Sequence, residues 1–169
     1  MFLDVPDGND PITHVWGYMV PGIGPAAAAF SAAVYEHSSL GLEEFEAARL
    51  RIAQVNGCMF CLDWRTDRDG ETVPDWFMGE VENWRESGRL DERSKLAAEF
   101  AERFALDHRG IDDEFWSRLR AAYTDEELVE LAMSVGSWLT FGRINRVFGL
   151  DAACTLPGPA HSPGSGLGE

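Results

Sequence analysis

The longest uninterrupted helical signal constrains the chain most. It runs through "TDEELVELAMSVGSWLTFGRINRVFGL", residues 124–150. Leu128, Leu131, Ala132, Val135, Leu139 and Gly142 recur at steps of three and four, the period of one helix face. Thr124 followed three residues later by Glu127 is a capping-box start, in which each side chain satisfies a backbone N–H of the other's residue. A helix of this length needs partners for its apolar stripe, and the rest of the chain supplies helices rather than strands.

"GPAAAAFSAAVYEHSSL" is alanine-rich with Pro25 in its first turn. "GLEEFEAARLRIAQV" places Phe45, Ala48, Ile52 and Val55 on one face. Leu50 and Ala53 widen that face, so the helix is expected to be buried over much of its girth. Asn56-Gly57 ends it, because both residues tolerate positive φ. A third helix is expected to start at or near Cys58 and to break at Asp67–Gly70. "VPDWFMGEVENWRES", "DERSKLAAEFAERFALD" and "DDEFWSRLRAAY" complete the pattern. With no strand alternation, the expectation is an all-α bundle of about seven helices in a single domain. Residues 1–24 read as an irregular lead-in, 25–153 as the helical domain and 154–169 as a flexible Pro/Gly/Ser-rich tail.

The chain has 169 residues and a formal charge of −15. Such acidity repels phosphate backbones and anionic lipid, so neither nucleic acid nor membrane is expected as a partner. Three cysteines and no signal-like N-terminus point to a reducing, cytoplasmic setting.

"NGCMFCLDWRT" holds two of the cysteines, Cys58 and Cys61, spaced C-x-x-C. That spacing puts both thiols on one turn, where they can close a disulfide. A thiol at a helix N-terminus is favoured as thiolate by unpaired N–H groups and the dipole. Two inert, buried cysteines are the alternative. Thioredoxin surroundings are missing, since no strand precedes the motif. A zinc site needs four ligands. Cys154 and the scattered His14, His37, His108 and His161 offer no second close pair, so no metal and no cofactor are expected.

The order of an alanine-rich helix, "LEEFEAARLRIAQVNGCMFCLDWRT" and a helical half ending "FGRINRVFGLD" resembles the alkylhydroperoxidase D-like branch of the carboxymuconolactone decarboxylase family, over about residues 20–152. The resemblance implies an all-helical homo-oligomer, a trimer or hexamer, that reduces peroxides through a dithiol. It implies Cys61 as the peroxidatic cysteine, and Cys58 as the resolving one that meets a dithiol or lipoyl-type reductant. It implies Glu46, twelve residues before Cys58, as the start of a proton relay. On its helix Glu46 shares a side with Leu50 and Ala53, where desolvation would suit a proton carrier; a water-facing first-turn glutamate is the alternative.

One departure stands out. The relay histidine of relatives falls at Arg65, and arginine does not exchange a proton near neutral pH. Arg65 can tune the Cys61 thiolate as a charge, pair with Glu46 or Asp63, or sit in solvent. His37, late in its helix, and His108, at the end of the fifth, are the candidate substitute proton carriers, and neither has a motif that points it at Cys61. Asn145 and Arg146 match the family's late motif, with an interhelical or intersubunit hydrogen bond as their expected role. Two other functions remain: a decarboxylase-type lyase, and a non-catalytic member whose disulfide is a staple.

Overall fold

The computed structural model describes residues 2–150. Eight α-helices occur among them: α1 (Pro11–Thr13), α2 (Gly24–Glu36), α3 (Leu42–Asn56), α4 (Met59–Asp63), α5 (Phe77–Glu82), α6 (Glu92–Leu106), α7 (Asp113–Ala122) and α8 (Asp125–Phe148). An isolated bridge between Arg68 and Glu71 is the only extended pairing among the described residues. The all-α expectation holds.

The helix ends follow local chemistry. Asp91, Asp112 and Thr124 each accept a backbone N–H from the first turn of α6, α7 and α8. Both halves of the Thr124–Glu127 capping box are present. α3 stops because Gly57 adopts φ +62°, a conformation that costs glycine little. The next N–H, of Cys58, then bonds back to the Ala53 carbonyl at 3.1 Å. α8 ends the same way at Gly149, with φ +68°.

α3 is the hub. It packs against α6 on one side and α8 on another, and Phe45, Glu46, Ala47, Ala48, Arg49, Leu50, Ile52 and Ala53 are all buried. Its alanines let neighbouring helices come close, while Phe45 fills the space towards α2 and α8. The Phe45 ring meets Trp138 edge-on with centroids 4.8 Å apart, and Tyr35 at 5.5 Å. Polar ties lock the frame. Glu130 of α8 accepts from Ser38 Oγ at 2.5 Å and from Ser39 and Leu40 N–H groups, which fixes the α2–α3 turn. Arg93 of α6 joins Glu44 at 2.7 Å and Glu127 at 2.8 Å.

Two expectations need correction. Residues 1–24 are not irregular throughout: Asp10 caps α1, and the turn continues as a π-helix over His14–Met19. The helix expected over 73–87 is only α5, which ends at Asn83, where the backbone N–H and the side-chain amide both donate to the Gly79 carbonyl. α2 forms as its alanines and Pro25 lead one to expect, and it buries only Gly24 and Val34. The tail from 154 onward lies outside the described residues.

Replacing Phe45 with Ala removes a fully buried ring from the centre of this packing. The loss should be about 3–5 kcal/mol in urea-monitored unfolding, with helical content retained in the folded fraction.

Candidate active site

The Gly57 stop turns the chain sharply, and Cys58 follows in an extended conformation as the N-cap of α4. α4 spans five residues, so Cys61 falls one turn on. The two cysteines are joined as a disulfide with Cα atoms 5.3 Å apart. The Cys61 N–H points at the Cys58 sulfur at 3.3 Å. A five-residue helix carries only a small dipole, so the expected dipole help to a thiolate is weak here. Cys58 is 1% exposed, whereas Cys61 is half-buried and borders a cavity of about 290 Å³ between α2, α3, α4 and α8.

The cavity is walled by Tyr35, Phe60, Trp64, Trp138 and Phe141, with Asn56 and Asn145 among its polar residues. Asn56 donates to the Trp138 carbonyl at 3.1 Å, tying α3 to α8. Gly142 makes that approach possible, since a Cβ there would lie 2.4 Å from the Asn56 amide nitrogen. The side-chain oxygens of Asn56 and Asn145 have no hydrogen-bond partner. Asn145 thus lies at the site, but no interhelical bond from its oxygen is present.

Glu46 is fully buried, as the helix face predicts. Its partners differ from those expected. Arg49, one turn on, grips it with Nε to Oε1 at 2.5 Å and Nη2 to Oε2 at 2.8 Å. The Thr66 hydroxyl donates to Oε1 at 2.5 Å. Three donors occupy the carboxylate, an arrangement suited to holding structure rather than carrying protons. Arg49 is itself 3% exposed. It donates from Nη1 to the Cys61 carbonyl at 2.6 Å and from Nη2 to the Trp64 carbonyl at 2.8 Å. Its guanidinium lies 5.3 Å from the Trp64 ring centroid.

Arg65 goes elsewhere. α4 ends at Asp63 and Trp64 is extended, so the helical i, i+4 relation to Cys61 does not exist. Arg65 donates to the Leu62 and Trp64 carbonyls and approaches the Met78 sulfur at 3.9 Å; it pairs with neither Glu46 nor Asp63. His37 is exposed and borders a separate α2–α8 groove with Phe30 and Met133. His108 opens an exposed 3₁₀ turn. The structure therefore joins Cys58 to Cys61 and links Glu46 to Cys61 only through Arg49, and it leaves Arg65, His37 and His108 outside the cavity. Cys154 and His161 lie outside the described residues.

Arg49, Thr66 and Tyr35 are the site residues sequence reasoning passed over. Arg49 had a signal: it falls at i+3 from Glu46 on a helix with few water-facing positions. Tyr35 faces the cavity at 5.0 Å from the Trp64 ring. Burial pushes its hydroxyl up to about 12, opposed by the nearby Arg49 charge and by a contact with the Trp138 indole. That indole contact is loose, because Trp138 Nε1 has no partner at hydrogen-bond distance.

Fold and site define an all-helical protein with a C-x-x-C disulfide at a helix junction beside an aromatic cavity. No family model matches the chain. In sequence it is 29% identical over 122 residues to the uncharacterized protein YdfG of Bacillus subtilis, covering 70% of this chain and 82% of that protein. It is 30% identical over 111 residues to the uncharacterized protein YnjA of Escherichia coli, covering 63% of this chain but only 60% of YnjA. In structure it matches a protein of unknown function from Agrobacterium tumefaciens that has been linked to antioxidant defence as an AhpD. The TM-score is 0.66 at 27% identity, over 79% of this chain and 92% of that one. In fold the chain is AhpD-like.

Tyr35 gives this site a pH signature. Its folded-state value of about 12 exceeds the ordinary 10.0, so the neutral ring stabilises the fold fully below pH 10. That contribution is lost as pH rises towards 12. Denaturation midpoints should fall across this window, and Tyr35→Phe should flatten the fall.

Proposed function

We propose that the chain is a dithiol–disulfide oxidoreductase that reduces peroxides through Cys61 and Cys58. The observation that supports this most is the closed disulfide meeting the cavity through one sulfur. Cys61 borders the space and Cys58 does not. In the cycle, the Cys61 thiolate attacks the peroxide oxygen. The O–O bond breaks, an alkoxide or hydroxide leaves and takes up a proton, and Cys61 becomes a sulfenic acid. Attack by Cys58 then forms the disulfide and releases water. An external dithiol, of lipoyl type in this reading, supplies two electrons and is oxidised to its own disulfide.

The cavity bears on the substrate. At about 290 Å³, with aromatic walls and unpaired amide oxygens, it has room for a small organic hydroperoxide as well as hydrogen peroxide. It also makes Cys61 the sulfur that an incoming thiol would meet in this conformation. The reading places the protein in the cytoplasm, where thiol reductants keep such a cycle turning, and includes association of copies as in the resemblance. No helix is long and apolar enough to cross a membrane among the described residues.

A second reading has its own support. No histidine borders the cavity and Glu46 is ion-paired, so the leaving oxygen finds little acid help. The disulfide would then be a staple with slow thiols.

Peroxide consumption with dihydrolipoamide as reductant separates the two. Cys61→Ser should abolish turnover, with loss of at least about 100-fold, because the attacking thiolate is gone. Arg65→His should leave turnover essentially unchanged, since that side chain is directed away from the cavity. Equal turnover by wild type and Cys61→Ser would sink the peroxidase reading, and absent sulfenate trapping at Cys61 would favour the staple.

A further inference from the structure

We propose that Arg49 is the positioning residue that sets the reactivity of the Cys58–Cys61 pair, in the role the sequence offers to Arg65. The proposal rests on the dithiol cycling described above, but not on peroxide being its oxidant.

Three observations converge on Arg49. First, its fork holds carbonyls at both ends of the segment after the disulfide: Cys61 at 2.6 Å and Trp64 at 2.8 Å. The active cysteine is thereby pinned to α3, the most buried helix of the fold. Second, the guanidinium borders the same cavity as Cys61. A residue's carbonyl oxygen and its own Sγ are only four bonds apart, so a cation on that oxygen lies within about 7 Å of the sulfur. Apolar walls screen such a charge less than water does. Third, the ion pair is oriented. Glu46 takes one edge of the guanidinium and is backed by Thr66, while the other edge faces the dithiol segment.

Among the described residues lining the cavity, Arg49 is the one charged side chain. α3 presents Glu46 and Arg49, and α2 presents Tyr35, which stays neutral until about pH 12. The α8 wall of Trp138, Phe141, Gly142 and Asn145 contributes nothing that titrates. On the dithiol segment itself, Asp63 is exposed and Arg65 is turned to the Leu62 and Trp64 carbonyls.

The consequence is redox-linked. A dithiol reductant delivers two electrons to the disulfide, breaking the S–S bond. The products are the Cys58 thiol, the Cys61 thiolate, the reductant's own disulfide and one released proton. On the dithiol side of Arg49, opposite Glu46, negative charge appears only in the reduced state. Arg49 therefore lowers the thiol's proton affinity and draws the equilibrium towards the dithiol.

The test compares wild type with Arg49→Met, Arg49→Lys, Glu46→Gln/Arg49→Met and Arg65→Met. The double variant removes both buried charges, so it avoids the lone carboxylate that Arg49→Met leaves behind. Two readouts are taken: the pH profile of iodoacetamide alkylation of reduced protein, and the dithiol–disulfide equilibrium against dithiothreitol. Loss of Arg49 should raise the apparent thiol pKa by about one unit and shift the equilibrium roughly tenfold towards disulfide. Lys should recover part of both, as a point charge without the fork. Arg65→Met should superimpose on wild type. A folded double variant with the wild-type profile overturns the proposal. Should the Met variants not fold, the wild-type Arg49 15Nε resonance decides. It should titrate with the thiol midpoint in reduced protein and stay constant in oxidised protein; a constant signal in both overturns the proposal. Neither readout uses peroxide, so an inactive peroxidase with these shifts would refute only the function proposed above.

Discussion

The buried pair of Glu46 and Arg49 organises this molecule. An ion pair inside a helical core is costly unless each partner is saturated with further hydrogen bonds. Here that condition is met from outside α3: Thr66 completes the carboxylate, and the Cys61 and Trp64 carbonyls complete the guanidinium. The segment from 58 to 66 has apolar anchors in Cys58, Leu62 and Trp64, but these alone do not fix its backbone carbonyls. The requirement to saturate two buried charges gives it one place to sit. The placement of the dithiol segment thus rests on a polar interaction, whereas the bundle around it rests on apolar burial.

That apolar frame is itself arranged around α3. Alanines admit α6 and α8 closely, Phe45 wedges between Tyr35 and Trp138, and the Gly142–Asn56 approach closes the far side of the cavity. The same α8 carries Glu130, which fixes the turn before α3, and the wall opposite Cys61. One helix therefore sets both where α3 begins and how much room stands in front of Cys61.

Much of this was legible from residue order. Periodicity, the Asn56-Gly57 stop and the Thr124–Glu127 box carry local physics that survives folding, so the helices, the α3 terminus and the long α8 could be read directly. Glu46 could be read as buried from its face. What could not be read was pairing across space. Arg65 matches the relatives' histidine by counting, yet α4 ends two residues before it, and a count of four along an extended chain places a side chain differently from four along a helix. Arg49 was legible in principle, as a charge three residues from Glu46 on a helix with few solvent positions. Tyr35 and Thr66 had no local signal, because their roles come from tertiary contact alone. The lead-in was misjudged for a related reason: Asp10 caps a short turn that continues as a π-helix, and that geometry has no strong compositional mark.

The aromatic lining of the cavity has a further consequence. Trp64 and Trp138 stand on the walls in which Cys61 is set. A disulfide is an effective quencher of a nearby excited indole, and a pair of thiols much less so. Two of the chain's six tryptophans are therefore wired to the oxidation state of the sulfur pair. Indole emission in solution is therefore expected to differ between the closed and the open pair, and to follow the open fraction without a label.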